Sequence, residues 1–143
     1  MFERETLPDG SILLRAARCR FTFRRPRPGV LLVIIDGYDD GAFGDAPFDH
    51  IFADIARFGT LELFVDTTQA LGAVTSVRES WTAWFAAQKP RLRRVHLAGA
   101  SKFMLSALHI TKELSRTGDL IQVYSDHAAF MAALARAGTA APG

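Results

Sequence analysis

Cys19, Phe21 and Phe23 alternate with Arg18, Arg20, Thr22 and Arg24. That period of two predicts a half-buried strand with one apolar and one basic face. The run Ser11 to Arg15 before it supplies a partner strand, so a hairpin is expected. Arg25-Pro26-Arg27-Pro28-Gly29 is expected to break the ladder, because proline donates no backbone hydrogen bond. Val30 to Ile35 is apolar at every position, as in a strand covered on both faces. The period then becomes helical. Phe48, Ile51, Phe52, Ile55 and Phe58 form one stripe, with Pro47 in the first turn and Gly59 as the stop.

Leu61 to Val65 predicts a second covered strand, and Thr67 to Thr75 a loop. Ser76 followed by Glu79 is a capping-box pattern, which starts a helix carrying Val77, Trp81, Trp84, Phe85 and Gln88. A start at Thr67 or Thr68 is the alternative, since Leu71 and Val74 extend the same stripe. Of the aromatics, Trp84 and Phe85 are expected in the core, with Trp81 open between core and interface. Arg93 to Ala98 reads as a strand, and 101 to 116 as a helix burying Met104, Leu108, Thr111 and Leu114. Leu120 to Tyr124 closes the strand set, and Ser125 is expected to cap a helix through Ala137. After the hairpin the order is βαβαβαβα, an α/β domain with a mixed sheet and about four helices. Residues 1–10 are expected to be a flexible N-terminus, 11–137 the domain, and 138–143 a flexible tail. No internal repeat, heptad seam or low-complexity segment is found.

At 143 residues, 49% apolar and 22% charged, the chain is sized for one core. No apolar run approaches the ~20 residues that span a bilayer, and the first residues lack a secretory pattern. No membrane association and a cytoplasmic location are therefore expected. The single Cys19 fits a reducing compartment. Net charge is +2 but uneven: residues 1–30 carry seven Arg against three acids, 31–70 one Arg against eight acids, and 71–143 nine bases against four acids. An acidic middle repels phosphates, so no nucleic acid is expected as partner and a protein surface is favoured. Lys89-Pro-Arg-Leu-Arg-Arg94 is read as a solvated connector at a helix end.

Candidate chemistry gathers after the strand 61–65. Thr67 and Thr68 follow Asp66, and a phosphate on either adds roughly −1.5 to −2 charge beside that carboxylate, which would repel a docked partner. The competing explanation is that the three side chains only turn the chain. A second function class uses Asp36 and Asp66, each closing an apolar strand. With Asp39, Asp40 and Lys102 they would form a crest holding Mg²⁺ for phosphoryl transfer, as in aspartate-phosphorylated receivers. His50, His96, His109 and His127 lack zinc-ligand spacing, and no serine sits in a hydrolase elbow.

The element order resembles the STAS domains, the anti-sigma factor antagonist family, and their uncharacterised bacterial relatives. Asp66-Thr67-Thr68-Gln69-Ala70-Leu71-Gly72 is similar to that family's Asp-Ser-Ser/Thr-Gly-Leu-Gly segment. It differs by one extra residue before Leu71 and by Thr for Ser at Thr67. Asp119 to Asp126, with Ala128, Ala129 and Phe130, resembles the closing strand and helix. The resemblance spans roughly residues 11 to 136. It implies a single STAS-like domain and a non-catalytic regulatory module without cofactor or metal. It also implies a protein partner such as a kinase-like regulator or anti-sigma factor, with Thr67 or Thr68 as phosphoacceptor. The partner surface is expected at Asp66, Thr67, Thr68, Gln69, Thr75, Arg78 and Trp81. Self-association into a homo-oligomer through the Phe-rich first helix or the aromatic second helix is a third possibility.

Overall fold

The computed structural model describes residues 2–138. Seven strands form one mixed sheet in chain order: β1 (Glu3–Thr6), β2 (Ile12–Arg15), β3 (Cys19–Arg27), β4 (Val30–Asp39), β5 (Leu61–Ala73), β6 (Leu92–Ala98) and β7 (Ile121–Tyr124). The first four pair antiparallel and the last four parallel. Helices α1 (Ala46–Phe58), α2 (Thr75–Gln88) and α3 (Lys102–Ser115) link the parallel strands, and α4 (His127–Arg136) follows β7. Parallel strands laid down in one direction through right-handed crossovers must place all three linking helices on the same face. The buried clusters agree. Ile51, Ile55, Phe85 and Leu108 pack with Leu31, Val33, Leu63 and Val95 on one face. On the other, Phe130, Ala133 and Leu134 of α4 cover Val30, Leu32, Phe64 and Ala98. The mixed sheet and four helices of the expected α/β class are present.

Several boundaries differ, each for a physical reason. The segment expected to be a flexible N-terminus contains β1, fully exposed and paired to β2. Its hold is the backbone ladder, with Arg15 at 3.6 Å from both Glu3 and Glu5, so no hydropathy pattern marks it. β3 runs through Pro26 because its ladder with β4 is already interrupted between Arg24 and Arg27. The loop expected at 67–75 is instead strand as far as Ala73, and β4 likewise runs on through Asp39. β4 and β5 project together past β6, pairing Asp36 with Gln69, Gly37 with Ala70, Tyr38 with Gly72 and Asp39 with Ala73. Each strand satisfies the other's backbone, so polar and small residues suffice.

α2 accordingly starts at Thr75 with Val74 before it, with neither the Ser76 and Glu79 capping box nor a start at 67. Ser101 caps α3 by accepting the Met104 N–H at 3.1 Å. At α4 the cap is Asp126, accepting the Ala128 N–H at 3.0 Å, rather than Ser125. Leu114, expected inside, is 67% exposed. Arg27 donates to the carbonyls of Leu134 and Ala137 and so ties the end of α4 to β3. Of the expected tail 138–143, residues 139–143 lie outside the described residues.

Candidate functional site

The paired ends of β4 and β5 form a β crest, with the start of α2 at its tip and the start of α4 beside it. Side chains along β5 alternate between its two faces, so Asp66 and Thr67, adjacent in sequence, belong to different surroundings. Asp66 Oδ1 accepts the Thr68 backbone N–H at 2.9 Å and the Thr68 hydroxyl at 2.6 Å. Its Oδ2 lies 2.9 Å from His127 Nε2, the first residue of α4. Asp66 is 8% exposed and Thr68 is half-buried. Thr67 points the other way and is buried, its hydroxyl donating to the Ala98 carbonyl at 2.6 Å.

Thr67 lines a largely apolar cleft between the crest, α2 and α3, of about 80 Å³, walled by Val65, Ala70, Val77, Phe103 and Leu108. Asp39 lies at its edge, where burial pushes its carboxyl up although the Gly41 N–H donates to Oδ1 at 2.9 Å. Above the cleft Arg78 donates to the Thr75 hydroxyl at 3.1 Å, both exposed on the first turn of α2. Gln69 is exposed on the crest. Trp81 is half-buried among aromatics, edge-on to Phe48 at 4.8 Å and stacked toward Phe21 at 6.5 Å. Trp84 stacks on Phe48 at 5.6 Å and is also half-buried, so both tryptophans hold α2 against α1.

The acidic residues considered for metal binding do not converge. Asp36 lies 3.6 Å from Arg20, Asp66 is engaged by Thr68 and His127, and Asp39 sits at the cleft. Lys102 is exposed at the start of α3. Among the described residues no group of three or more His, Cys, Asp or Glu is placed to hold an ion.

Sequence reasoning missed one polar constellation entirely. On the α4 face, His96 is 4% exposed, with Nε2 at 2.7 Å from Glu62 Oε2 and Nδ1 at 2.8 Å from the Tyr124 hydroxyl. An ionised carboxylate only accepts, so Nε2 carries the proton and the Tyr124 hydroxyl donates to Nδ1. Burial lowers the His96 pKa, against the opposing pull of Glu62, and raises that of Tyr124. The signal was present: Glu62 and His96 are polar residues set inside apolar strands on neighbouring β5 and β6, two positions apart in register and so on one face.

This histidine makes stability depend on pH. His96 and His50 are both held below the ordinary 6.5, chiefly by burial. Below that value the unfolded chain takes up protons that the folded chain resists. Their contribution is therefore full above 6.5 and is lost as pH falls through the folded values. Asp39, raised in the fold, acts in the opposite sense at lower pH. Urea midpoints are expected to fall between about pH 7.5 and about pH 5.5, with a shallower fall in His96→Gln. Midpoints that stay level or rise in the wild type over that interval would contradict a buried neutral His96.

No family model matches the sequence, and no curated protein matches it. The fold, however, is shared with solved structures. One is an uncharacterized protein of the DUF3478 family with a SpoIIAA-like fold from Shewanella loihica PV-4, 12% identical, with TM-score 0.62, covering 84% of this chain and 96% of that one. Another is an anti-sigma factor antagonist from Mycobacterium paratuberculosis, 16% identical, with TM-score 0.58, covering 92% of this chain and 99% of that one. The chain therefore has the STAS-like, SpoIIAA-like fold over nearly its whole described length. Among the described residues no helix is long and apolar enough to cross a membrane.

Proposed function

We propose that this chain is a non-catalytic regulatory module of STAS type that docks a protein partner on the β crest and is switched by phosphorylation of Thr68. The observation that supports this most is the single hydrogen-bonded unit Thr68, Asp66 and His127, which joins the crest to the start of α4. The whole-length likeness to an anti-sigma factor antagonist supports the class of partner, a kinase-like regulator or an anti-sigma factor. Of the two candidate hydroxyls, that of Thr67 is sealed under the crest against Ala98, whereas Thr68 is half-exposed. Asp66, Thr68, Gln69, Thr75 and Arg78 form the docking surface, with Thr67 and Trp81 shaping it from beneath.

A phosphate on Thr68 would remove the donor that Asp66 now accepts at 2.6 Å and set roughly −1.5 to −2 charge against that carboxylate. His127 and the N-terminus of α4 are the nearby groups that favour such a charge. Asp66 and the start of α4 would then separate, and the surface offered to the partner would change.

The test is affinity capture from the native cytosol with wild type, Thr68→Ala and Thr68→Asp, with phosphate mapped over residues 66–76. A kinase-like or sigma-controlling protein should be held by wild type and Thr68→Ala and depleted at least about tenfold on Thr68→Asp. An unchanged partner set, with no phosphate found on 66–76, would sink the switch.

A further inference from the structure

The crest leaves unused the most apolar exposed face of the molecule, which lies on α3. Phe103 is 64% exposed, Ile110 53% and Leu114 67%. With half-buried Ala107 they occupy positions 103, 107, 110 and 114, an alternation of four and three residues that places them in one line on the helix. Beside the line runs a groove toward α2 lined in part by small side chains, Ala83, Ala86 and Ala107, with Arg78 and Glu79 also on its α2 wall. Large side chains next to small hollows are what two packed helix pairs need. On the flank away from α2 lie Lys102, Ser106, His109 and Glu113, in the same alternation and all exposed.

We propose that this face pairs with a second copy of itself, α3 against α3, antiparallel across a twofold axis. The charges choose the occupant and its direction. An antiparallel twofold axis between Ala107 and Ile110 sets Phe103 opposite Leu114 of the other copy and Ala107 opposite Ile110. It brings the same flank of each helix together, so Lys102 faces Glu113 of the other copy, twice per dimer. A parallel twofold pair would bring opposite flanks together, so Lys102 and Glu113 would stand on opposite sides of the seam and would not meet. Among the described residues neither Lys102 nor Glu113 has an ion-pair partner within 4.0 Å in its own chain, so both charges remain available. Phe103, whose ring lies over Gly72, carries the face onto the flank of the crest. Pairing here would thus set the spacing of two crests. It stands whether or not Thr68 is a switch.

The experiment is sedimentation velocity over a range of concentrations on the full chain, with folding checked by circular dichroism. Wild type should show a monomer–dimer equilibrium. Leu114→Glu, at an exposed position, should keep the fold and remain monomeric. Lys102→Glu should weaken the dimer roughly tenfold, since each substitution acts at two symmetric contacts. The double variant Lys102→Glu, Glu113→Lys should restore it. A wild type that stays monomeric at every concentration overturns the proposal, as does that monomer co-floating with anionic phospholipid vesicles, which would assign the face to a lipid surface. A dimer that survives Leu114→Glu, or one not restored in the charge-swapped double, also overturns it.

Discussion

Phe64→Ala should lower stability by about 4 kcal/mol, within the range for emptying a large aromatic site in a packed core. Phe64 is fully buried on the α4 face. Its ring lies 4.0 Å from that of His96, nearly parallel at 8°, and meets Phe130 edge-on at 5.5 Å. Removing it opens a cavity bordered by a polar ring, and it withdraws the main surface on which α4 rests. Besides Phe130, the helix has only Ala133 and Leu134 buried. The effect should therefore also be local: amide exchange in α4 should quicken before that of β4 and β5. Urea unfolding of Phe64→Ala beside Leu71→Ala, which trims a side chain that is 75% exposed, makes the comparison. The second substitution should change the free energy of unfolding by less than about 0.5 kcal/mol. A loss below about 1.5 kcal/mol for Phe64→Ala would show that the α4 face is not packed as described.

The parts of the fold that were legible in the sequence are those where hydropathy alone decides the structure. VLLVII at 30–35 and the stripe of α1 could each be only one thing, because a strand covered on both faces and a helix covered on one leave distinct periods. β1 was not legible, since its four side chains are exposed and its ladder hydrogen bonds are the same for any sequence. Nor was the projection of β4 and β5. Asp36-Gly37-Tyr38-Asp39 and Asp66 to Ala73 have the composition of loops, and only their mutual pairing makes them strands. Leu114 was misplaced for a related reason: an apolar period identifies a face but not whether anything covers it.

For the candidate residues, neighbourhood was legible and geometry was not. Asp66, Thr68, Gln69, Thr75 and Arg78 do gather around one crest. The alternation that separates Thr67 from Thr68 followed from a strand the sequence did not announce. His127 lies 61 residues from Asp66 in sequence, so their contact depends on α4 crossing to the second face. Likewise Glu62, His96 and Tyr124 sit on three successive parallel strands, and register, which no single strand encodes, brings them together.

Gly37→Ala should be the most damaging of the small substitutions, at about 4 kcal/mol, combining backbone strain with a steric clash. Gly37 has φ +92°, a conformation that an L side chain rarely adopts, and a Cβ built there would stand 2.1 Å from the Arg18 carbonyl oxygen. That oxygen cannot swing aside as a side chain would. It accepts the Tyr38 N–H at 2.9 Å, and Cys19 next to it pairs with Gly37 itself. The close approach is what lets β4 continue beyond β3's first residues and carry Asp39 to the crest. Gly10→Ala is the matched control, because Gly10 has φ +87° but nothing within 4 Å of the added carbon. Strain alone should then lower stability by about 1 kcal/mol. If the two variants unfold at equal urea concentrations, the contact with Arg18 is not tight, and the crest is not held by β3. If Gly37→Ala alone unfolds early and also loses the partner captured by wild type, the backbone contact is what sets the crest on which docking depends.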